Sequence, residues 1–378
     1  MRKLLTIACI FLLYSCNLLP DPDSLKVSDS TGVVINLNDH QHENSIDTIV
    51  ADAKCTLLDG SEKAKLSGVQ GIEKVVFENN TIYILDKQFA SIKAYSESGN
   101  YLFDVGGTGL TSDKYLRIED MVYNPARNTL WVLCNTPKKI IEYSLDGQFL
   151  RKINIKFFAS ALGFVNDNMR YYYVNQNKSS QSKNKNLLIT DSNNSVLGRQ
   201  FDFPKDLNSM IDYTGGIYKT NGKLFFNPAY SNIYYLLGQN KIEKGYVVEL
   251  GENSSSGPGA EVRPCLGKSF VETDEYVILT YQKEGISRTG IYNIKNGKTY
   301  TNDMRYSPIN FLFNSKIISK DSNDLVLLVE PRYLQDVLKK NESILKERFP
   351  DINDKLIFKD SLVNHSGLAL LRLKLKHY

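Results

Sequence analysis

Two consecutive stretches of the chain repeat each other at a spacing of 48 residues. The first opens with Asn80-Thr-Ile-Tyr-Ile-Leu-Asp and the second with Asn128-Thr-Leu-Trp-Val-Leu-Cys. The identical pairs are Asn80/Asn128, Thr81/Thr129, Leu85/Leu133, Ile92/Ile140, Tyr95/Tyr143, Ser96/Ser144, Gly99/Gly147 and Leu102/Leu150. They fall on alternating strand positions and on a turn glycine, so they report packing rather than chemistry. A period in the forties is typical of a β-propeller or a solenoid.

Each copy contains four short β-rich runs separated by turn residues, which predicts one four-stranded antiparallel blade. In the first copy the runs begin at Val75, Thr81, Ser91 and Tyr101. The same signature continues with less regularity in a third blade (162–197), a fourth (216–250) and a fifth (268–300). The sequence therefore predicts an all-β fold with repeated blades.

The sixth blade differs because its strands are interrupted. Phe311-Leu-Phe and Asp324-Leu-Val-Leu-Leu-Val are predicted strands, and Pro331 then opens a predicted helical insertion over about 331–349. Its apolar face contains Leu334, Leu338, Leu345 and Phe349. The last strand, Gly367-Leu-Ala-Leu-Leu-Arg-Leu-Lys-Leu, leaves this blade one strand short. We expect Ser45-Ile-Asp-Thr-Ile-Val to complete it, which closes a six-bladed ring without an open edge.

The amino terminus has the features of a secretion signal. A basic lead, Met1-Arg2-Lys3, precedes about ten apolar residues, too few to cross a bilayer core that needs roughly 20. Residues 1–15 are thus predicted to be a signal peptide, with uncleaved anchoring or plain secretion as alternatives. Residues 16–44 are rich in Asp, Ser, Asn and Pro and predict a flexible tether. Residues 45–378 are predicted to form the single propeller domain.

Charge and cysteine content narrow the class of protein. Removal of the signal leaves 44 basic and 42 acidic residues, a balance that argues against nucleic-acid binding. Cys9 leaves with the signal, and three cysteines remain far apart in the body: Cys55, Cys134 and Cys265. Isolated buried thiols are the favoured interpretation, and one disulfide among the three is the alternative.

The segment Leu13-Tyr14-Ser15-Cys16 resembles the lipobox of bacterial lipoproteins, in which the cysteine is acylated. Together with the tyrosine-rich repeats, the helical insertion and the last strand, it resembles the six-bladed β-propeller lipoproteins, relatives of the NHL-repeat propellers. The run from Gly107 to Tyr115 keeps Gly107, Gly109 and Tyr115 of a family loop but lacks its proline and glutamate. The resemblance implies a fold, lipidation at Cys16 and no particular reaction.

Motifs for familiar chemistry are weak. Gly106-Gly-Thr-Gly lacks the Lys-Ser/Thr ending and the following helix of a phosphate loop, so a turn is predicted. A serine hydrolase would need His365 or His377, and the chain contains no G-x-S-x-G elbow. The pair His40 and His42 is predicted to be polar linker rather than a metal half-site.

Acids near the first strands of several blades are the candidates for a metal site on the propeller axis: Glu73, Glu119, Asp120 and Glu272. Acids at blade entries more often cap turns, so no catalytic, cofactor or metal residue is assigned. Abundant aromatic residues, 23 Tyr and 17 Phe, are predicted to fill the wedges between blades rather than a binding surface. The Lys178–Lys185 run and residues 254–259 are predicted to be loops.

These observations predict a membrane-anchored outer-membrane lipoprotein, on the periplasmic face or the cell surface, that acts as a binding or scaffold module. Its partners would be the membrane, through the lipid, and an unidentified protein, peptide or glycan, with no cofactor and no nucleic acid. The alternative function is a metal-dependent lyase or hydrolase with its site on the axis. A purely structural role in an envelope complex is the third interpretation, and it predicts a broad apolar patch on an outer face.

Overall fold

The computed structural model describes residues 26–38, 46–203, 215–229, 231–251, 265–283, 286–301, 316–319, 324–348 and 366–377. These ranges are dominated by short antiparallel strands that form six sheets. No helix in these ranges is both long and apolar enough to span a membrane.

Strand β1 (Val33–Asn36) and strand β2 (Val50–Leu57) precede the blades. Blade 1 contains β3 (Ile72–Glu78), β4 (Thr81–Asp86), β5 (Ser91–Ser96) and β6 (Tyr101–Asp104). Blade 2 contains β7 (Arg117–Asn124), β8 (Thr129–Thr136), β9 (Lys138–Ser144) and β10 (Phe149–Asn154). Blade 3 contains β11 (Ala161–Asn166), β12 (Met169–Tyr173), β13 (Lys185–Thr190) and β14 (Val196–Asp202).

Blade 4 contains β15 (Gly216–Thr220), β16 (Lys223–Asn227), β17 (Ile233–Leu237) and β18 (Ile242–Glu249). Blade 5 contains β19 (Cys265–Glu272), β20 (Tyr276–Lys283), β21 (Ile286–Asn293) and β22 (Thr299–Thr301). Blade 6 contains β23 (Lys316–Ser319), β24 (Asp324–Val329) and β25 (Ala369–Leu375), with β2 as its fourth strand. The predicted six-bladed propeller of four-stranded antiparallel blades is confirmed.

Six apolar clusters hold the ring together, one between each pair of neighbouring blades. In the cluster between blades 1 and 2, Tyr83 is 1% exposed and donates its hydroxyl to the carbonyl of Leu145 at 2.6 Å. Its repeat partner Trp131 lies between blades 2 and 3 and packs edge-on against Phe164 at 4.8 Å. Large flat side chains thus fill the wedges, as predicted, because they offer much apolar area at each contact.

The amino-terminal segment closes the ring, but five residues later than predicted. Strand β2 pairs antiparallel with β25 from Val50↔Leu375 to Leu57↔Ala369. Residues 46–49, which we expected in the strand, form a 3₁₀ turn instead. Ile46 and Ile49 are both fully buried. Their spacing of three suits a 3₁₀ turn, whereas in a strand they would point to opposite faces.

A second correction concerns the predicted tether over 16–44. Strand β1 pairs in parallel with β18, from Val33↔Tyr246 to Asn36↔Glu249, and adds a fifth strand to blade 4. Ile35 and Leu37 are buried in the cluster between blades 4 and 5. The alternation of these two apolar residues with polar ones is a strand pattern, and it covers the outer edge of blade 4. The tether prediction therefore fails from about Val27, which also bridges to Ile242.

The helical insertion of blade 6 has two helices, α1 (Pro331–Lys340) and α2 (Glu342–Arg348). Leu334 and Leu338 are buried against blade 6, as the apolar spacing predicted. The break occurs at Asn341, whose side-chain Nδ2 donates to the carbonyl of Val337 at 2.9 Å. An asparagine that bonds to nearby backbone in this way favours a helix end. The predicted strand at Phe311 lies outside the described residues, and the first strand of blade 6 is β23.

Candidate functional site

The first strands of all six blades surround the propeller axis and run in the same direction. We call the end where they begin the upper end. A cavity of about 350 Å³ lies there, lined by residues of every blade. This upper cavity is lined by Glu73, Lys74, Val75, Lys87, Glu119, Asp120, Ser160, Ala161, Tyr173, Asn175, residues 215–220, residues 268–271 and residues 316–318.

A second cavity, of about 930 Å³, lies toward the lower end of the same strands. This lower cavity is lined by residues 74–78, 121–126, 164–168 and 219–222 with Glu272 and Thr273. Lys74, Val75, Lys219 and Thr220 line both cavities, so the two meet on the axis. A propeller channel is a common place for a ligand, because loops and strands of every blade converge on it.

Asp120 is the most tightly held acid of the upper cavity. Its Oδ1 lies 2.7 Å from Lys74 Nζ, and its Oδ2 accepts a hydrogen bond of 2.9 Å from the backbone N–H of Leu162 in the next blade. Its own strand supplies a third donor, the N–H of Met121. These bonds join three blades and satisfy both carboxylate oxygens, so Asp120 is a structural anchor.

Glu73 and Glu119 share one lysine. Lys87 Nζ lies 3.6 Å from Glu73 Oε1 and 3.9 Å from Glu119 Oε2. Arg117 Nε is 2.7 Å from Glu119 Oε1 but outside hydrogen-bond geometry, so this contact is an ion pair only. Each of the three upper carboxylates therefore has a basic partner.

The lysines of blades 5 and 6 lack such partners. Lys316 Nζ donates to the backbone carbonyl of Ile72, and no carboxylate of the described residues lies within ion-pair distance of it. Burial and the charges of Lys268, Lys87 and Lys74 lower the pKa of Lys316 to about 8, while the opposite charge of Glu73 acts against this. Lys268 is exposed on the cavity wall.

The lower cavity contains a different arrangement around Glu272. Its side chain is 1% exposed, and Lys223 Nζ lies 2.5 Å from Oε1. The Tyr246 hydroxyl donates to Oε2 at 2.7 Å, and Thr220 Oγ1 both donates to the Glu272 carbonyl and accepts from its N–H. All polar atoms of Glu272 are thereby used. The burial of Tyr246 and its contact with this carboxylate raise the pKa of the phenol.

The four acids proposed as metal ligands do not form one site. Glu73, Glu119 and Asp120 line the upper cavity, Glu272 lines the lower one, and each is paired with a base. Across the described ranges, no three His, Cys, Asp or Glu side chains are grouped so that they could hold a metal ion. The geometry thus gives the metal-dependent alternative no support from these residues.

A family model described as a domain of unknown function (DUF4934) matches residues 33–357. The chain belongs to this family. The match begins at β1, in agreement with the finding that this strand is part of the folded DUF4934 body.

Solved structures share the fold of this DUF4934 protein at low sequence identity. A Bacteroides fragilis protein described as exported is 16% identical, with a TM-score of 0.69 over 91% of this chain and 100% of that one. A member of the DUF4221 family from Bacteroides vulgatus is 10% identical, with a TM-score of 0.49 over 87% and 98%. A virginiamycin B lyase from Staphylococcus aureus is 11% identical, with a TM-score of 0.44 over 86% and 96%. No curated protein sequence matches the chain. At these identities the likeness is one of fold alone.

The loop of residues 107–115, which carries the family-like glycines, is a structural element of the DUF4934 propeller. The buried Lys139 ammonium donates to the carbonyls of Thr111, Ser112 and Lys114. The Tyr143 hydroxyl donates to the carbonyl of Asp113, and Tyr115 donates to that of Val105. The segment is a turn that leads into strand β7, so the prediction that it is not a phosphate loop agrees with its geometry.

The remaining sequence candidates have structural surroundings or lie outside the described residues. Cys55 and Cys134 are free and buried, and burial raises the pKa of their thiols to about 11 and about 12, so neither is a reactive thiolate. His377 Nδ1 lies 3.1 Å from Glu275 Oε1. Outside the described residues lie Cys16, His40, His42, His365 and residues 254–259.

The lysine surplus of the upper cavity was missed by the sequence analysis, which followed acids only. A signal was present, since Lys74, Lys219, Lys268 and Lys316 all fall in the first strand of a blade. Aligning the six first strands would have placed these side chains around one axis. Near-neutral total charge concealed a local concentration of one sign.

Proposed function

We propose that this DUF4934 protein is a bacterial envelope lipoprotein, acylated at Cys16, whose propeller binds a ligand in the upper cavity of the axial channel. One observation carries the binding role: charged and polar side chains from all six blades converge on a cavity that the fold does not fill. Closed packing between blades explains the apolar residues but requires no such cavity.

The anchoring part of the proposal rests on the amino-terminal sequence. The basic lead, the short apolar run and Leu13-Tyr14-Ser15-Cys16 resemble a lipoprotein signal, as in NHL-like propeller lipoproteins. The similar Bacteroides fragilis protein is described as exported, which agrees with an envelope location. Since β1 and Val27 pair with blade 4, a tether would extend from Cys16 to about residue 26. The outer membrane is the proposed destination, on its periplasmic face or at the cell surface.

Fractionation of the producing bacterium tests the anchor. We expect the wild-type chain to incorporate labelled fatty acid and to sediment with the outer membrane. The Cys16→Ala variant should lose the label and remain uncleaved or leave the membrane. Equal labelling of both chains would contradict lipidation at Cys16.

A steric variant tests the cavity as the binding site. The detergent-solubilised lipoprotein is applied to arrays of glycans, peptides and envelope extracts, alongside Ser160→Trp. Ser160 lines the neutral side of the upper cavity, so tryptophan would fill it without changing its charge. Ser98→Trp is the matched control, because Ser98 lies exposed in the turn between β5 and β6 at the lower end.

We expect ligands retained by the wild type and by Ser98→Trp to be lost by Ser160→Trp. A ligand bound equally by all three proteins would place binding elsewhere on the propeller. A complete absence of binding across the arrays would argue for the purely structural role.

A further inference from the structure

The upper cavity has an uneven charge balance. Five lysines and three carboxylates line it among the described residues, so its wall carries two positive charges in excess. The lysines are Lys74, Lys87, Lys219, Lys268 and Lys316, and the carboxylates are Glu73, Glu119 and Asp120. A cavity with excess charge of one sign attracts ligands of the other, and its low-dielectric walls strengthen the attraction.

The excess is concentrated on one side. The three carboxylates belong to blades 1 and 2, where Lys74, Lys87 and Arg117 neutralise them. Lys268 and Lys316 come from the neighbouring blades 5 and 6. Within the part of the chain that the structure describes, Lys316 bonds only to a backbone carbonyl, and Lys268 has neither a hydrogen bond nor an ion pair.

The two lysines are close enough to influence each other. Lys268 is the first of three cations whose repulsion lowers the pKa of Lys316, followed by Lys87 and Lys74. Glu73 is the opposing charge, and it already lies near Lys87. A bound anion would relieve this repulsion, so the lysines are arranged as a site for one.

The wall opposite the lysines is neutral and polar. Blades 3 and 4 contribute Ser160, Tyr173, Asn175, the glycine pair 215–216 and Tyr218. Hydroxyl, amide and backbone groups of this kind hydrogen-bond to sugar hydroxyls, and aromatic faces pack against sugar rings. A volume near 350 Å³ suits a molecule of about monosaccharide size.

We propose that the upper cavity binds a small polar dianion, a phosphorylated or carboxylated sugar, with its charged group on Lys268 and Lys316. The inference rests on the proposed function in one respect, that the ligand occupies the axial channel. Phosphate and carboxylate are both acceptors for lysine ammonium groups, so one site accommodates either chemistry. The sugar hydroxyls face the neutral wall of blades 3 and 4.

Titration calorimetry on the detergent-solubilised lipoprotein tests the inference with defined probes. Glucose 6-phosphate is the phosphate probe, glucarate the carboxylate probe, and glucose the neutral control. We expect one or both anions to bind at least tenfold tighter than glucose at pH 7. Which anion binds more tightly identifies the charged group of the natural ligand.

Two substitutions separate the site from general electrostatics. Lys268→Gln should weaken anion binding at least tenfold, because it removes a lysine that has no structural partner. Lys241→Gln is the matched control, since Lys241 is exposed and paired with Glu243 at the outer edge of blade 4. It removes the same charge from the chain and should leave the affinity unchanged.

Proton linkage gives a second readout. Because an anion favours the charged form of Lys316, whose pKa is about 8, binding near that pH should take up protons. Calorimetry in two buffers of different ionisation enthalpy measures this uptake, which should vanish in Lys316→Met.

Equal binding of glucose and both anions would overturn the inference, as would wild-type affinity in Lys268→Gln. If an array ligand is lost by Ser160→Trp but not by Lys268→Gln, the channel remains the binding site and only the anion assignment fails. If the anions bind equally well to Ser160→Trp, the cavity itself is not the site.

Discussion

The two halves of the axial channel are built from the same six strands, yet they differ in charge and in how that charge is satisfied. The upper cavity has five lysines and three carboxylates, whereas the lower cavity has two lysines, Lys74 and Lys219, and three acids, Glu78, Asp167 and Glu272. In the lower half, Glu272 uses all its polar atoms within the protein. In the upper half, Lys268 uses none among the described residues.

The difference teaches which polar residues serve the fold. A buried charge is costly unless it is paired and hydrogen-bonded, so a fully satisfied group indicates a structural role. An unpaired charge on a cavity wall costs stability and indicates that something outside the chain completes it. We therefore expect substitutions in the lower half to reduce stability, and those in the upper half to change binding.

The largest effect is expected at Glu272. Glu272→Ala leaves the buried Tyr246 hydroxyl and Thr220 region without their acceptor, and should reduce the free energy of unfolding by about 3 kcal/mol. Urea denaturation measures this loss. Lys223→Ala is the control, because Lys223 is half exposed and its loss should cost less than about 1 kcal/mol. Equal losses in the two variants would contradict the role assigned to burial.

A lysine at the upper end that is satisfied should behave like Glu272 rather than like Lys268. Lys139 is 2% exposed and holds three carbonyls of the 107–115 loop. Lys139→Met keeps the aliphatic stem but removes the donors, and should cost about 2 kcal/mol of unfolding free energy. Limited proteolysis should then cleave within that loop. An uncleaved loop and unchanged stability would show that the position along the axis, not the satisfaction of each group, separates the halves.

The repulsion at Lys316 predicts a pH-dependent stability. Its folded-state pKa is lowered from 10.5 to about 8, so the unfolded chain binds more protons between these values. The cost is fully present below pH 8 and is relieved as the pH rises through this window, by about 1 kcal/mol after screening. Urea denaturation at pH 7 and pH 9 should show this relief as a difference between the wild type and Lys316→Met. Parallel pH profiles would contradict it.

The smallest effect on stability is expected at Lys268. Lys268→Gln should change the unfolding free energy by less than about 0.5 kcal/mol, and in the stabilising direction, because it removes a repulsive charge that has no partner. The same denaturation experiment measures it. A clear loss of stability would mean that Lys268 serves the fold, and the contrast between the two halves would disappear.

Blades 1 and 2 were predictable because their repeat is nearly intact, and the left-handed Asn80 and Asn128 and the turn glycines recur in both. The edges of the fold were not. The closing strand was placed at 45–50, because Ile46 and Ile49 suggested strand periodicity to a local pattern search. The tether hid β1, since four residues that pair with a strand more than 200 positions away leave little local signal.

The sequence by itself determined the blade, because a four-stranded repeat is written in alternating apolar residues and turn residues that act over a few positions. It also determined the aromatic wedges between blades, since side chains of that size must be buried. Only the tertiary structure decided where the charges meet. Lys74, Lys219, Lys268 and Lys316 are separated by up to 242 positions in the chain, and ring closure alone brings them to one cavity. Electrostatic interaction depends on distance in space, and a linear pattern contains no measure of it.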